Sequence, residues 1–451
     1  MTNRQTILAE IAEKHKKEVL DAERWLWKHP QTGYTEWEAD KYISERFEAM
    51  GYTLVKAGNI PGFYTDIDTG KPGPSFVVMG ELDALDLAGH PEAVNGMAHA
   101  CGHHAQGAAM LGLAYALKEP GALDGLCGRI RLMLVPAEEM IQLEFRDELI
   151  KNGTIKYYGG KVEFMSRGFF DGMDIAMMVH GTGSDKYDFT CNRTMNGCMA
   201  KVITYKGKAS HAGGRPDLGI NAEYAAALGL QACNAIRETF READHVRFHP
   251  IMKGVNCAVN IIPDEMKMES YVRATTLKAI RRENGKINRA LAGAAVSLGA
   301  SLHLNDRAGY GPESDDVNFM RLAKRICADL VGEDRVFFNE NGISNGSSDF
   351  GDITAVMPGL QFSCAGAGGT GHGIDYTIVN PEKLCMNSVK AQLMIIDELL
   401  SDNGRKAAEI IGAYKSEYSG IKDYLDSIDK FNLDRDVVTY NEDGSITVNY
   451  V

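Results

Sequence analysis

The chain opens on a stripe through Leu8, Ile11, Ala12, His15, Val19, Ala22 and Leu26. Spacings of three and four place these positions on one helix face over 6–28, and His29-Pro30 ends the run because the residue before a proline is pushed out of the helical region. A second helix is predicted over 36–50, closing at Gly51. SFVVM, at 75–79, is apolar without alternation and bounded by Pro74 and Gly80, the pattern of a parallel strand buried on both faces. Segments 130–135 and 175–179 repeat it, with a small-residue helix predicted over 108–117. Later, 354–356 and 360–363 read as short strands, and 381–400 as a closing helix with proline at its start.

Between these parts, from about Arg193, the grammar changes. Strand 198–205, helix 221–240, strands near 245–252 and over 266–273, helix 276–298 and strand 301–306 follow the βαββαβ order of a ferredoxin-like unit. The predicted fold class is α/β: a central mixed, mostly parallel sheet flanked by helices, with an inserted ferredoxin-like βαββαβ domain. Its divisions are 1–192 for the first part of the main domain, 193–307 for the insert and 308–451 for the second part. The charged stretch 141–161 reads as an insertion that either walls a site or forms an interface, and the tail after Lys415 reads as peripheral.

Composition narrows the function classes. With 451 residues, 44% hydrophobic and 24% charged, the chain is an ordinary globular sequence too long for a single core. Lys+Arg 48 against Asp+Glu 61 gives a net charge of −13, which disfavours nucleic acid or an anionic membrane as the main partner. No apolar run approaches the roughly 20 residues that span a bilayer, and the start lacks a signal-type apolar core, so a cytoplasmic location is expected. The cysteines, at 101, 127, 191, 198, 233, 257, 327, 364 and 385, are odd in number and scattered, without a CxxC pair. That suits reduced thiols rather than a disulfide framework.

The chemistry concentrates at 95–107, NGMAHACGHHAQG, which sets His99, Cys101, His103 and His104 among glycines. A Cys and a His two apart reach one metal if the segment is extended or turning; the alternative is a loop with buried His and Cys. Strand 75–79 leads to Glu81 and Asp83, strand 175–179 to His180, and the glycine-rich turn AGAGGTGHG carries His372. Strand 130–135 runs into Pro136-Ala137-Glu138-Glu139, where adjacent carboxylates repel one another unless a cation lies between them or the turn is solvated. Metal-capable side chains beyond several strand ends fit the rule that open α/β sheets bind ligands at their carboxyl edge.

GELDAL (80–85), HACGHH (99–104), PAEEM (136–140), VHG (179–181), GKASHAGGRPDLGINA (207–222), VNIIPDE (259–265), GSSDFGD (346–352) and GTGHG (369–373) occur in this order. Together they resemble the aminoacylase and glutamate-carboxypeptidase superfamily of metallopeptidases, in the branch of hippurate hydrolase, indole-acetyl-amino-acid hydrolase and aminobenzoyl-glutamate hydrolase, and near β-alanyl-lysine dipeptidase. The resemblance implies a zinc-peptidase type of sheet and two divalent metal ions per subunit, zinc first, with manganese or cobalt as alternatives. It implies Cys101 as a bridging thiolate, Glu139 and His372 on one ion, His103 and His180 on the other, Glu138 as general base and Asp83 orienting a ligand. It further implies His211 as an oxyanion donor in the partner subunit of a homodimer formed through the insert, and Asn260 and Arg273 as holders of the substrate carboxylate. The reaction implied is hydrolysis of the amide bond in an N-acyl or N-aminoacyl amino acid. Alternatives are a dipeptidase for β-alanyl or basic dipeptides and a catalytically inactive binding module. A cysteine hydrolase using Cys101 and His103 is disfavoured, since a thiolate held between cations is not free to attack.

Overall fold

Strands apolar on both faces must lie in the middle of a layered sheet, and four such strands form the centre of this one. In order they are Arg129–Val135, Ser75–Glu81, Ile175–Gly183 and Gly359–Gly368, each parallel to its neighbour. Phe63–Asp68 joins antiparallel on one side and Phe189–Met195 on the other, which makes the sheet mixed. A computed structural model of the chain describes residues 1–255 and 258–450, so Cys257 lies outside the described residues. The chain divides into two units: Met1–Thr194 with Glu313–Ser344 and Asp349–Lys422, and Met195–Pro312 with Asn345–Ser348 and Asp423–Val451.

In the first unit the helix His103–Lys118 is buried on nearly every side, packing against Lys16–Trp27 and Pro381–Leu400. Gly112 permits the approach, since a Cβ there would lie 2.7 Å from methyl groups of Val19 and Val389. The single helix predicted over 6–28 is two, Asn3–Glu13 and Lys16–Trp27. His15, at the break, is held by Glu119 at 3.0 Å and stacks on Tyr115, tertiary contacts that a local stripe does not announce. The strand predicted over 354–356 is instead the end of the helix Phe350–Thr354 and its following turn, because so short an apolar run carries no period to separate the two states. No helix among the described residues is long and apolar enough to cross a membrane.

The second unit is an antiparallel sheet. Arg247–Phe248 and Ile251–Gly254 both pair with Glu265–Ala274, which pairs with Gly197–Lys206, which pairs with Ser301–Ala308. The helices Ala222–Ala235 and Leu277–Leu298 pack on this sheet, giving the βαββαβ arrangement. Glu265–Ala274 alternates half-buried and buried residues along its length, as one-sided cover requires.

The boundaries differ from the sequence reading. Residues 193–194 fall in the first unit, and 308–312, 345–348 and those from 423 onward in the second; the last are not peripheral. Leu433–Tyr440 pairs with Ser301–Ala308 and then with Ile446–Val448, burying Val437 and Val438. The outer edge of Ser301–Ala308 presents unpaired backbone groups that this strand satisfies, and its exposed side is polar enough to hide the alternation. Deleting residues 433–451 is expected to lower the melting temperature and cause aggregation, read by light scattering during a thermal ramp. An unchanged, monodisperse melt would show the tail to be dispensable.

Candidate metal centre

The parallel strands all end at one edge of the sheet, and the loops leaving that edge carry the functional groups. Ser75–Glu81 leads to Asp83, Arg129–Val135 to Glu138 and Glu139, and Gly359–Gly368 to His372, while His180 lies within the strand Ile175–Gly183 itself. The Cys-His stretch turns into a helix: Gly102 adopts φ 96°, and His103 is the first residue of His103–Lys118. A residue with a Cβ is disfavoured there, and the turn lets Cys101 and His103 face one point from opposite sides of it.

Cys101 is the shared member of two groups. Its Sγ lies 3.4 Å from His180 Nε2 and 3.4 Å from His372 Nε2. Cys101, His103 and His180 have ligand atoms all within 4.8 Å of one another, and so do Cys101, Glu139 and His372. His372 Nε2 is 3.0 Å from Glu139 Oε1. Glu138 belongs to a neighbouring group with His103 and Glu139, its Oε2 3.9 Å from His103 Nε2. Asp83 ties the parts together: Oδ1 accepts from His103 Nδ1 at 3.0 Å and Oδ2 accepts the Glu139 backbone N–H at 2.7 Å. The proton is thereby placed on Nδ1, leaving the Nε2 lone pair directed into the centre.

The Glu138-Glu139 elbow depends on a left-handed residue. Ala137 has φ 58°, a conformation that a side chain disfavours and that persists only where the surroundings impose it. Here the Ala137 N–H donates to Glu36 Oε1 at 2.7 Å, and its carbonyl accepts from Gly160 N–H at 3.2 Å. The buried Arg146 guanidinium donates to the carbonyls of Glu139 and Tyr158.

Electrostatically the pocket is crowded with carboxylates. Glu81, Asp83, Glu138, Glu139, Glu313 and Asp349 are all buried. Burial, then Glu81 and Glu139, pushes the Glu138 carboxyl well above the usual carboxylate range, and burial with Glu139 pushes the Cys101 thiol up. Buried His103 Nε2 makes no hydrogen bond. A thiol, imidazoles and carboxylates converging in a buried acidic pocket, with an imidazole nitrogen left over, form a donor set that fits divalent cations. A cation there would reverse the upward shifts by favouring thiolate and carboxylate.

His211, Asn260 and Arg273 lie in the second unit. His211, exposed, pairs with Ile261 in a two-residue ladder, and its Nδ1 accepts from the backbone N–H groups of Gly213 and Gly214 at 3.2 and 2.9 Å. That leaves the ring proton on Nε2 as an outward donor. Asn260 is exposed and accepts from Ala212 N–H at 3.0 Å. Arg273 stands on the half-buried side of Glu265–Ala274, donating from Nη1 to Ser347 Oγ at 3.0 Å, while its buried Nε makes no hydrogen bond. His99 and His104 lie outside the two groups that share Cys101; His104 pairs with buried Glu23 at 3.2 Å.

Sequence reasoning missed Glu36, Gln106, Arg146 and Lys161. Each is buried and supports the acidic edge. Only Gln106, one helical turn after His103, had a local signal; Glu36, Arg146 and Lys161 had none.

Residues 77–398 match the model of peptidase family M20/M25/M40. Xaa-Arg dipeptidase from Homo sapiens is 26% identical over 383 residues, 78% of each chain. A subunit of p-aminobenzoyl-glutamate hydrolase from Escherichia coli (strain K12) is 27% identical over 377 residues, 76% of this chain and 72% of its own. A solved Bacillus subtilis structure, described as a dinuclear metal binding peptidase from the M20 family, shares the fold at a TM-score of 0.63 and 20% identity, over 86% of this chain and 99% of its own. With the family match running from the central strand Ser75–Glu81 through the helix Pro381–Leu400, and with metal-capable groups gathered at the carboxyl edge between them, this chain belongs to peptidase family M20/M25/M40 and is a metal-dependent amidohydrolase.

Proposed function

We propose that the two groups sharing Cys101 each hold one divalent ion, zinc first among candidates, and that the enzyme cleaves the amide bond of an N-acyl or N-aminoacyl amino acid. The observation that supports this most is the shared thiol: one Sγ lies 3.4 Å from an imidazole of each group, with Glu138 alongside. His103 and His180 would complete one ion, Glu139 and His372 the other. Ions bound there polarise the scissile carbonyl and bring the pKa of a water toward neutrality. Glu138 takes the water proton and passes it to the leaving nitrogen, so the amide ends as a carboxylate and an amine. Asp83 keeps His103 in the right tautomer throughout.

The second unit supplies groups for the substrate. His211 offers its Nε2–H to the developing oxyanion, and Arg273 with Asn260 holds the free α-carboxylate. An Arg fork matches a carboxylate with two parallel bonds, and here one guanidinium nitrogen is buried without a hydrogen bond. Conjugates of the p-aminobenzoyl-glutamate type come first by the likeness to that hydrolase, and dipeptides ending in a basic residue second by the likeness to Xaa-Arg dipeptidase. A homodimer through the second unit is favoured by the strand Ile251–Gly254, exposed throughout and carrying Ile251 and Met252.

Cys101→Ala and His103→Ala are each expected to lose bound metal and hydrolysis together, measured by elemental analysis beside an amidase assay. Glu138→Gln should keep the metal and lose roughly 10²–10⁴-fold in turnover. If Glu138→Gln stripped the metal while Glu139→Gln kept it, the two roles would be exchanged.

A free acid should be cleaved far better than its carboxamide. Leaving the Arg273 charge unpaired in a partly closed site costs about 3–5 kcal/mol, on the order of 10²–10³ in kcat/KM. Arg273→Lys should recover part of the preference, since an ammonium makes no parallel pair. Equal rates on acid and amide in the native enzyme would remove Arg273 from substrate binding. Light scattering at micromolar concentration should give a dimer, and a fully active monomer would contradict the His211 assignment.

A further inference from the structure

The insertion ends in a buried cation. Lys161, in the first turn of Gly160–Ser166, is 0% exposed, and its ammonium sits between Glu81 Oε1 and Asp349 Oδ1, donating to both. Its backbone N–H also donates to Asp349 Oδ2 at 2.9 Å. The other oxygen of Glu81, Oε2, accepts from Gln106 Nε2 at 2.6 Å and stands 3.2 Å from His103 Nε2. Glu81, Glu138 and Asp349 have oxygens all within 4.8 Å of one another, so they form a further cation-capable group beside the two that share Cys101.

Three carboxylates this close and this buried cannot all ionise unless positive charge lies among them. Lys161 supplies it. Burial works against the ammonium, but Asp349, Glu81 and Glu138 outweigh it and hold Lys161 above the usual lysine range. Glu81 Oε2 is the carboxylate oxygen nearest His103 Nε2, closer than Glu138 Oε2 at 3.9 Å, and the Lys161 tether on Oε1 restrains it from swinging further toward whatever that nitrogen binds.

We propose that Lys161 is a built-in cation occupying the Glu81, Glu138 and Asp349 group in place of a divalent ion, so that the pocket admits ions only at the two groups sharing Cys101. Lys161 is thus a positioning residue, acting through Glu81 and Asp349. This rests on the two-ion reading above. A tethered ammonium cannot be lost to a chelator, so the charge balance of this corner persists when the ions leave. It also gives the insertion a role other than wall or interface, since its last residue is bound into the acidic edge of the sheet.

The test counts ions. Wild type, Lys161→Met and Lys161→Met/Asp349→Leu are stripped with a chelator and titrated with Mn²⁺ by calorimetry, with counts checked by native mass spectrometry. Wild type should bind two, Lys161→Met one more, and the double variant two again. Thermal unfolding of Lys161→Met should be lower than wild type without metal and should rise further on adding Mn²⁺. A count in Lys161→Met equal to that of wild type, or a double variant that keeps the added ion, would overturn the proposal. A wild type that binds fewer than two overturns the metal-centre reading instead. If Lys161→Met folds only with Mn²⁺ present throughout, the same count applies there; if it fails even then beside a folded double variant, the group cannot take an ion and the proposal fails.

Discussion

The constraint on which this structure depends is the crowding of buried negative charge under the carboxyl edge of the parallel sheet. Carboxylates in a low-dielectric pocket repel one another and lose hydration, and the protein supplies a buried ammonium among them. The thiol and imidazoles beside them are donors suited to a divalent cation, which would supply further compensation. The same crowding that pushes the Cys101 thiol and the Glu138 carboxyl upward is what makes the pocket attractive to a divalent cation.

Around this charge the backbone is held in conformations it would not choose alone. Ala137 turns left-handed so that Glu138 and Glu139 leave the strand in different directions, and Glu36, Gly160 and Arg146 fix the turn from three elements. Adjacent carboxylates thereby acquire separate tasks: Glu139 faces His372, while Glu138 faces the His103 side.

The second unit follows a different logic. Its sheet is covered on one face by two helices, leaving a row of half-buried positions on the other, where Arg273 stands. Leu433–Tyr440 and then Ile446–Val448 extend the sheet beyond Ser301–Ala308, and Ile251–Gly254 lies exposed toward the opposite edge.

Much of this was legible in the residues alone. Continuous apolar runs bounded by Pro and Gly identified the central parallel strands, since burial on both faces suppresses alternation, and a change from that pattern to βαββαβ marked the insert. Metal-capable residues just beyond those runs pointed to the carboxyl edge, because parallel strands all deliver their ends to one side. What the sequence could not determine was which charges are buried. Lys161 and Arg146 stand in a charged stretch that reads as an insertion walling a site or forming an interface, and nothing local distinguishes a lysine in water from one between Glu81 and Asp349, 80 and 188 residues away in the chain. The break at His15 and the pairing of Leu433–Tyr440 were likewise decided by distant partners. Local sequence carries periodicity and backbone preference; the compensation of buried charge and the sealing of a sheet edge are set by residues that meet only in the folded chain.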